Sequence, residues 1–314
     1  KAVGKSALYY NTIGGNNSAF GYSSLVSNTI GVNNVAVGFN SLYYNTTGNN
    51  NTAVGNGTLQ ANTIGEGNSA FGLNSLYSNT IGINNSAFGY QSLYSNTTGN
   101  YNSAFGFQSL YNNTIGSNNS AFGIYALLSN TTGVKNVAVG RSALQGNTIG
   151  ASNSAFGYQS LKFNTTGTDN SAFGFKAMQS NTIGTLNSAF GSYCLSSNTT
   201  GTRNTAVGRV ALASNTVGSY SNAFGYGALY SNTTSGNNAF GYNALYSITT
   251  GAENTAVGYR SLFANIIGTG NIAIGSYALQ TNTTNNNTAV GYAALASNTI
   301  GYGNSAVGLQ ALYN

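Results

Sequence analysis

The chain has 314 residues and a formal net charge of +6, and charged residues make up only 4% of it. Ordinary soluble domains carry about a quarter, and charge this thinly scattered does not form the clustered basic stripe of a nucleic-acid-binding protein. There is no histidine and there are only three carboxylates, so we expect neither an enzyme nor a protein with a metal or cofactor site.

One recurring phrase organises the sequence: alanine, then Phe, Val or Ile, then glycine, and leucine four residues later, as in Ala-Phe-Gly-Tyr-Gln-Ser-Leu at 87–93. It occurs nineteen times, once with Met178 in place of the leucine, at intervals of 17 residues, with 16 from Ala223 to Ala239 and from Ala273 to Ala289. A strict short period is typical of one supersecondary unit stacked many times. Two near-invariant glycines per repeat, with many Asn, Ser and Thr, disfavour helix.

The sequence therefore predicts an all-β solenoid, a parallel β-roll or β-helix of about nineteen 17-residue coils. We expect an elongated fibre in which residues 1–314 form a single array without a separate globular domain. No apolar run approaches the roughly 18 residues of a membrane span, so no membrane insertion is expected within this sequence. Repeat positions are numbered below from the alanine, which is position 1.

The first predicted strand of each coil covers positions 16 to 3, which read Asn-Ser-Ala-Phe-Gly, and a second is expected in the Leu-Tyr-Ser-Asn-Thr stretch before the glycine at position 13. The variable positions 14 and 15 are interpreted as a surface turn, and the two 16-residue coils are expected to lose their residue there. Apart from the terminal Lys1, charged side chains occur at positions 4, 5, 8, 14 and 15, which are expected to face water. Cys194 replaces a Ser or Ala and is interpreted as a small buried residue.

Positions 2 and 7 are predicted to form continuous apolar stacks. Because positions 1 and 2 face opposite ways on a strand and neither is ever polar, both strand faces need cover. We therefore expect more than one chain in the cross-section, with three as the leading hypothesis. The rival is one thicker solenoid in which positions 2, 7 and 12 line three inner walls.

Position 10 is Asn in every complete copy except at Ile248. In-register stacking places these amides about 4.8 Å apart, which predicts an amide ladder along the coils. The alternative is that each Asn supports a local turn. The structural ladder is assigned to Asn28, Asn62, Asn79, Asn113, Asn147 and Asn181.

The same position also carries the sequon Asn-Thr-Thr, which makes N-glycosylation a hypothesis. The candidates are Asn45, Asn96, Asn130, Asn164, Asn198, Asn232 and Asn282. Further sequons occur at Asn16, Asn50, Asn56, Asn84, Asn112, Asn118 and Asn286. Such matches arise easily by chance in Asn- and Thr-rich text.

The units Asn-Ser-Ala-Phe-Gly at 85–89 and Asn-Thr-Ala-Val-Gly at 204–208 resemble the head repeats of trimeric autotransporter adhesins. The phrase Asn-Thr-Ala-Val-Gly-Tyr-Arg-Ser-Leu at 254–262 resembles repeats of phage tail-fibre and related surface-fibre proteins. The resemblance spans essentially the whole sequence, although the period of 17 is longer than the usual adhesin-head repeat. It implies an extracellular, cell-surface or virion fibre, commonly a homotrimer of parallel β-rolls.

Two functions follow as expectations. The first is a structural fibre shaft, with adhesion as an added role, that self-associates, as a homotrimer or end to end, and carries surface glycans. Neither end of the sequence has a capping repeat, which favours continuation of the array. The alternative is a binding module, with tyrosines at positions 4 and 8 stacking on sugars or the threonine row at position 11 contacting ice.

Overall fold

The computed structural model describes residues 1–313, and these are all-β: nineteen short parallel strands and no helix. Each coil contributes one strand, and successive strands lie about 17 residues apart in sequence. The predicted fold class, a β-solenoid built from tandem repeats, is confirmed. Its coils fall into two compact units, described separately here, with the second beginning at Ser154.

The first unit, Lys1–Asn153, contains nine strands, each centred on the alanine at position 1. Their bounds are β1 (Ala2–Val3), β2 (Ser18–Phe20), β3 (Val35–Val37), β4 (Thr52–Val54), β5 (Ser69–Phe71), β6 (Ser86–Phe88), β7 (Ser103–Phe105), β8 (Ser120–Phe122) and β9 (Val137–Val139). Neighbouring strands pair in parallel with alanine opposite alanine, as for Ala87 and Ala104. Each strand covers positions 17, 1 and 2, and is therefore shorter than predicted.

The second unit continues the same pattern with ten strands. Their bounds are β10 (Ser154–Phe156), β11 (Ser171–Phe173), β12 (Ser188–Phe190), β13 (Thr205–Val207), β14 (Asn222–Phe224), β15 (Asn238–Phe240), β16 (Thr255–Val257), β17 (Ile272–Ile274), β18 (Thr288–Val290) and β19 (Ser305–Val307). The alanine register persists through both 16-residue coils, where Ala223 pairs with Ala239 and Ala273 with Ala289.

The predicted second strand is wrong. The residues at position 7 have φ near +50°, for example 53° at Leu93 and 48° at Met178, and this left-handed conformation is incompatible with an extended strand. Positions 4 to 9 instead form turns, in which the Ser92 amide donates to the Gly89 carbonyl and the Leu93 amide donates to Ser109 of the next coil. Apolar periodicity identified the leucine but not its backbone conformation.

Glycine at position 3 is required by close backbone approach between coils. Gly89 has φ +138°, and a Cβ there would lie 2.6 Å from the Gly106 carbonyl oxygen of the next coil. Contacts below 3.0 Å would force the two backbones apart, and this φ already disfavours other residues. The coil spacing therefore depends on this glycine.

The two 16-residue coils lose their residue before the variable turn, not within it as predicted. The Asn232 side chain donates to the Thr234 carbonyl, two residues on, whereas Asn113 donates to Gly116, three residues on. Gly236 keeps the positive φ of position 15. The left-handed turn residue is thus retained, and one residue is missing between positions 11 and 13.

The interior is narrow and is lined by few residue types. The alanines of position 1, the leucines of position 7 and the small residues of position 6 are fully buried in most coils. Cys194 is one of them, as expected from the sequence, and is a free thiol. The charged side chains are all at least partly exposed, as predicted.

Position 2 does not belong to this core. Its side chains alternate away from the buried alanine, and Phe20, Phe122 and Phe190 are 41%, 41% and 42% exposed. Position 12 also faces outward, with Ile115 at 54% exposed. The single solenoid with inner walls at positions 2, 7 and 12 is therefore wrong, because only position 7 of the three is buried.

Candidate functional site

The most repetitive chemistry of the molecule is an amide ladder inside the coils at position 10. The Asn113 Nδ2 donates to the Asn96 Oδ1 at 2.8 Å, and its own Oδ1 accepts from the Asn130 Nδ2 at 2.8 Å. The same Nδ2 donates to the carbonyl of Gly116 at 2.9 Å. The two sequence interpretations, a ladder and a local turn, are thus present together.

All six asparagines assigned to the structural ladder are fully buried. Buried amides are tolerated when their donors and acceptors are paired, and stacking identical coils provides that pairing at every step. Four buried polar side-chain atoms lack a partner in residues 1–313, and none belongs to position 10. The ladder residues are Asn28, Asn62, Asn79, Asn113, Asn147 and Asn181.

A second interior ladder, at position 16, was not predicted. The Asn102 backbone amide donates to the Asn85 Oδ1 at 2.9 Å, and the Asn102 Nδ2 donates to the Gly116 carbonyl at 2.8 Å. That carbonyl also accepts from Asn113, so glycine at position 13 joins the two ladders. The absence of charge at position 16 and its near-constant Asn were the available signals in the sequence.

Ile248 shows how the position-10 ladder tolerates an interruption. Its side chain is fully buried, and the coils on either side carry asparagine at the same position. On one side the Asn232 Oδ1 accepts from Asn237 of its own coil at 2.8 Å, and on the other the Asn265 Oδ1 accepts from the Gly268 amide at 2.9 Å. The flanking amides therefore find partners within their own coils.

The seven Asn-Thr-Thr sequons lie on the same buried ladder. Each asparagine is 0% exposed, and glycosylation would have to replace a hydrogen that faces the interior. Folding and modification at these sites therefore exclude one another sterically. The residues are Asn45, Asn96, Asn130, Asn164, Asn198, Asn232 and Asn282.

The other seven sequons are exposed without exception. Five of them occupy position 15, where the backbone is left-handed, as at Asn84 with φ 54°. Asn16, Asn50, Asn84 and Asn118 follow one another at 34-residue intervals, which is every second coil. Acceptor amides on this turn are accessible in the folded chain.

The outer face of the parallel sheet is free of charge. It consists of two rows: small or β-branched residues at position 17, which are mostly Ser and Thr, and Phe, Val or Ile at position 2. The phenylalanines stack on their own kind, with ring centroids 4.7 Å apart for Phe71 and Phe88 and 5.0 Å for Phe105 and Phe122. Their edges, rather than their ring faces, are turned outward by this stacking.

Two further aromatic columns are formed by the residues at positions 4 and 8. Tyr90 and Phe107 stack at 5.2 Å with an interplanar angle of 8°, and Tyr94 and Tyr111 at 5.1 Å with 9°. Partial burial, and then the neighbouring tyrosines Tyr77 and Tyr111, raise the pKa of Tyr94. The ring faces within each column are covered by the coils above and below.

The threonine hydroxyls at position 11 are also occupied. The Thr63 Oγ1 donates to the Thr80 carbonyl at 3.1 Å, and Thr80 repeats the contact with Thr97. These bonds connect successive coils along one side of the interior. The exposed neighbours at position 12 are mainly Ile and Thr.

Cys194 is the one thiol of the sequence. Burial raises its pKa to about 12, and its Sγ lies 2.9 Å from the Gly191 carbonyl oxygen, to which the thiol donates. At neutral pH it is therefore a protonated thiol without nucleophilic character. No cluster of three or more His, Cys, Asp or Glu side chains is placed to hold a metal ion within residues 1–313.

Comparison with known proteins adds no family: no family model matches the sequence, and no curated protein matches it significantly. Among the residues that the structure describes, no helix has the length and apolar character needed to cross a membrane. A function therefore has to be argued from the geometry alone, and the outer sheet face is the repeated feature from which to argue it.

Proposed function

We propose that this chain is a structural protein, a self-associating solenoid shaft of an extracellular, cell-surface or virion fibre. One observation carries the proposal: the buried asparagines are hydrogen-bonded within and between coils, and a repeated, charge-free face of Phe, Val or Ile beside mostly Ser or Thr is left outside. Monomeric soluble proteins rarely expose contiguous apolar patches larger than about 300–600 Å². A structural role is supported by this combination of a rigid interior and an unpartnered exterior.

The resemblance to adhesin heads and phage tail fibres supports the same proposal and adds surface glycans to it; the homotrimer that the resemblance implies is the alternative to the two-chain contact argued below. The exposed sequons at position 15 would carry such glycans without disturbing the interior. No nucleic-acid partner, cofactor or enzymatic role forms part of the proposal: the chain has only three carboxylates, no histidine and thinly scattered charge to draw on.

Carbohydrate or ice binding is the second candidate function. Sugars bind to the faces of aromatic rings, and the faces within the columns at positions 4 and 8 are already stacked on neighbouring rings. The threonine hydroxyls of position 11 are hydrogen-bonded to backbone carbonyls. Both observations favour the shaft over the binding module.

Localisation and ligand binding together test the proposal. Gold-labelled antibodies against the chain should decorate fibres on the surface of the producing cells or particles, and purified chain should be inactive on glycan arrays and in ice-recrystallisation assays. Labelling confined to the cell interior would contradict the shaft. Saturable glycan binding that is lost in Tyr90→Ala would instead establish the binding module.

A further inference from the structure

The outer face of β2–β9 is large enough to require a partner. In this unit the exposed side chains at position 4 adjoin those of position 2, for example Tyr22 at 48%, Phe39 at 49% and Tyr90 at 42%. With about 200 Å² for an aromatic side chain, the rows at positions 2 and 4 of β2–β9 together expose on the order of 1,000 Å² of apolar surface, interrupted at position 4 by Asn56 and Arg141. A stable interface needs about 800 Å² per partner.

The periodicity of the face identifies the partner. Its phenylalanines recur at the coil spacing, with centroids 4.7 Å apart for Phe88 and Phe105. A partner with any other period drifts out of register within a few coils, whereas a second array of the same coils matches along its whole length. A sugar polymer or an unrelated protein has no reason to share this spacing.

The order of residues along each strand determines which symmetry fits the contact. Within each strand a small residue at position 17 and a large one at position 2 point outward on either side of the buried alanine, as in Ser103, Ala104 and Phe105 of β7. A two-fold axis parallel to the stacking direction reverses the strand direction across the interface. Position 17 of one copy then faces position 2 of the other, which sets large residues against small ones.

We propose that a second copy of this chain covers the outer sheet face of β2–β9 in a two-fold pairing that places the phenylalanine row of each copy against the serine and threonine row of the other. The pairing rests on the proposed self-associating shaft and names its contact surface. Large and small side chains would interdigitate there in a dry interface about 10 Å thick, as in stacked sheets.

Two charge-insertion variants of the full chain test the pairing. One carries Phe105→Lys and Phe122→Lys, and the other carries Ser103→Lys and Ser120→Lys, because both rows lie in the interface. The matched control carries Ile115→Lys and Ile149→Lys at position 12, where the side chains are 54% and 55% exposed but lie off the sheet face. Circular dichroism and thermal melting establish that each variant is folded.

In sedimentation equilibrium at about 10 µM, we expect the wild type and the position-12 variant to have twice the chain mass. Both sheet-face variants should dissociate, with the dissociation constant raised at least roughly 100-fold by the buried charges. A monomeric wild type, a three-chain particle, or equal weakening by the position-12 control would overturn the pairing. If lysines in only one of the two rows weaken the dimer, the assignment of position 17 against position 2 is wrong.

Surface labelling distinguishes this failure from failure of the proposed function. Fibres decorated on the surface with a monomeric purified chain would contradict the pairing and leave the role as a surface-fibre protein intact. A dimer confined to the cell interior would contradict the shaft while keeping the pairing.

Discussion

The row at position 10 and the row at position 2 invert the usual relation between polarity and burial. The asparagines of position 10 are fully buried, whereas the phenylalanines of position 2 are all partly exposed, up to about two-fifths, as at Phe122 with 41%. The buried row is stable because each amide is paired with the same amide one coil away. In a stack of identical coils, backbone direction and neighbour pairing decide what is buried, and hydrophobicity decides less.

The largest effect in this comparison is expected in the interior. Leu144→Asp places an unpaired carboxylate in a site that is 0% exposed, and should lower the free energy of unfolding by several kcal/mol. Lys135→Asp, at an exposed turn position of the preceding coil, should change it by less than about 0.5 kcal/mol. Thermal melting of both variants measures the difference, and equal shifts would contradict the assignment of inside and outside.

A smaller effect is expected from removing one ladder amide. Asn113→Ala leaves the Oδ1 of Asn96 and the Nδ2 of Asn130 each without one buried partner, which should cost about 2–4 kcal/mol. The adjacent Asn112 is exposed, so Asn112→Ala is the matched control and should cost less than about 0.5 kcal/mol. Urea titration checks both, and a silent Asn113→Ala would show that the ladder contributes nothing to stability.

Much of this architecture follows from the sequence. The period identified the solenoid, the charges marked the outside, and the near-constant Asn at position 10 indicated a ladder. The second strand was predicted wrongly because a buried leucine looks the same in sequence whether its φ is −120° or near +50°, as at Leu93.

The candidate site was less predictable. Position 2 was expected to need cover because it is always apolar, with a neighbouring chain as the leading hypothesis and an inner wall of the same chain as the rival. A single sequence does not show which of the two provides the cover. The ladder at position 16 was missed because asparagine next to a turn is usually explained by local turn chemistry. Only the register between coils reveals that Asn102 contacts Asn85.

The thiol inside the second unit gives a pH-dependent effect of intermediate size. The folded-state pKa of Cys194, about 12, lies above its value of about 8.5 in an unfolded chain. The stabilisation that comes from keeping this thiol protonated is therefore fully present below about pH 8.5 and is lost as pH rises towards 12. By pH 10 the loss in the free energy of unfolding is about 2 kcal/mol.

Cys194→Ser is the matched variant for that measurement, because serine occupies position 6 in other coils. From pH 8 to pH 10 the unfolding free energy of the wild type should fall by about 2 kcal/mol relative to that of the variant. Taking this difference cancels the contribution of the tyrosines, which both proteins share. A constant difference would show that the thiol is not buried as described. Slow reaction of the folded wild type with maleimide at pH 8 is the accompanying expectation.

Glycosylation of the exposed and the buried sequons tests the difference between surface and interior without a stability measurement. Incubated with a soluble N-glycosyltransferase and an activated sugar donor, the folded chain should be modified at the exposed Asn84 and not at the buried Asn96. The same enzyme should modify both sites in the urea-unfolded chain, which serves as the control. Glycopeptide mass spectrometry reads the occupancy, and modification of Asn96 in the folded chain would contradict its burial.

Hydroxyl-radical footprinting of dilute protein, below the midpoint of any self-association, tests the inverted pattern most directly. Methionine is intrinsically the more reactive residue, yet Met178 is fully buried, whereas Tyr158 and Phe175 are 38% and 42% exposed. We expect oxidation at Tyr158 and Phe175, and we expect Met178 to stay protected until the chain is unfolded. Rapid oxidation of Met178 in the folded protein, with the two aromatic residues protected, would contradict it.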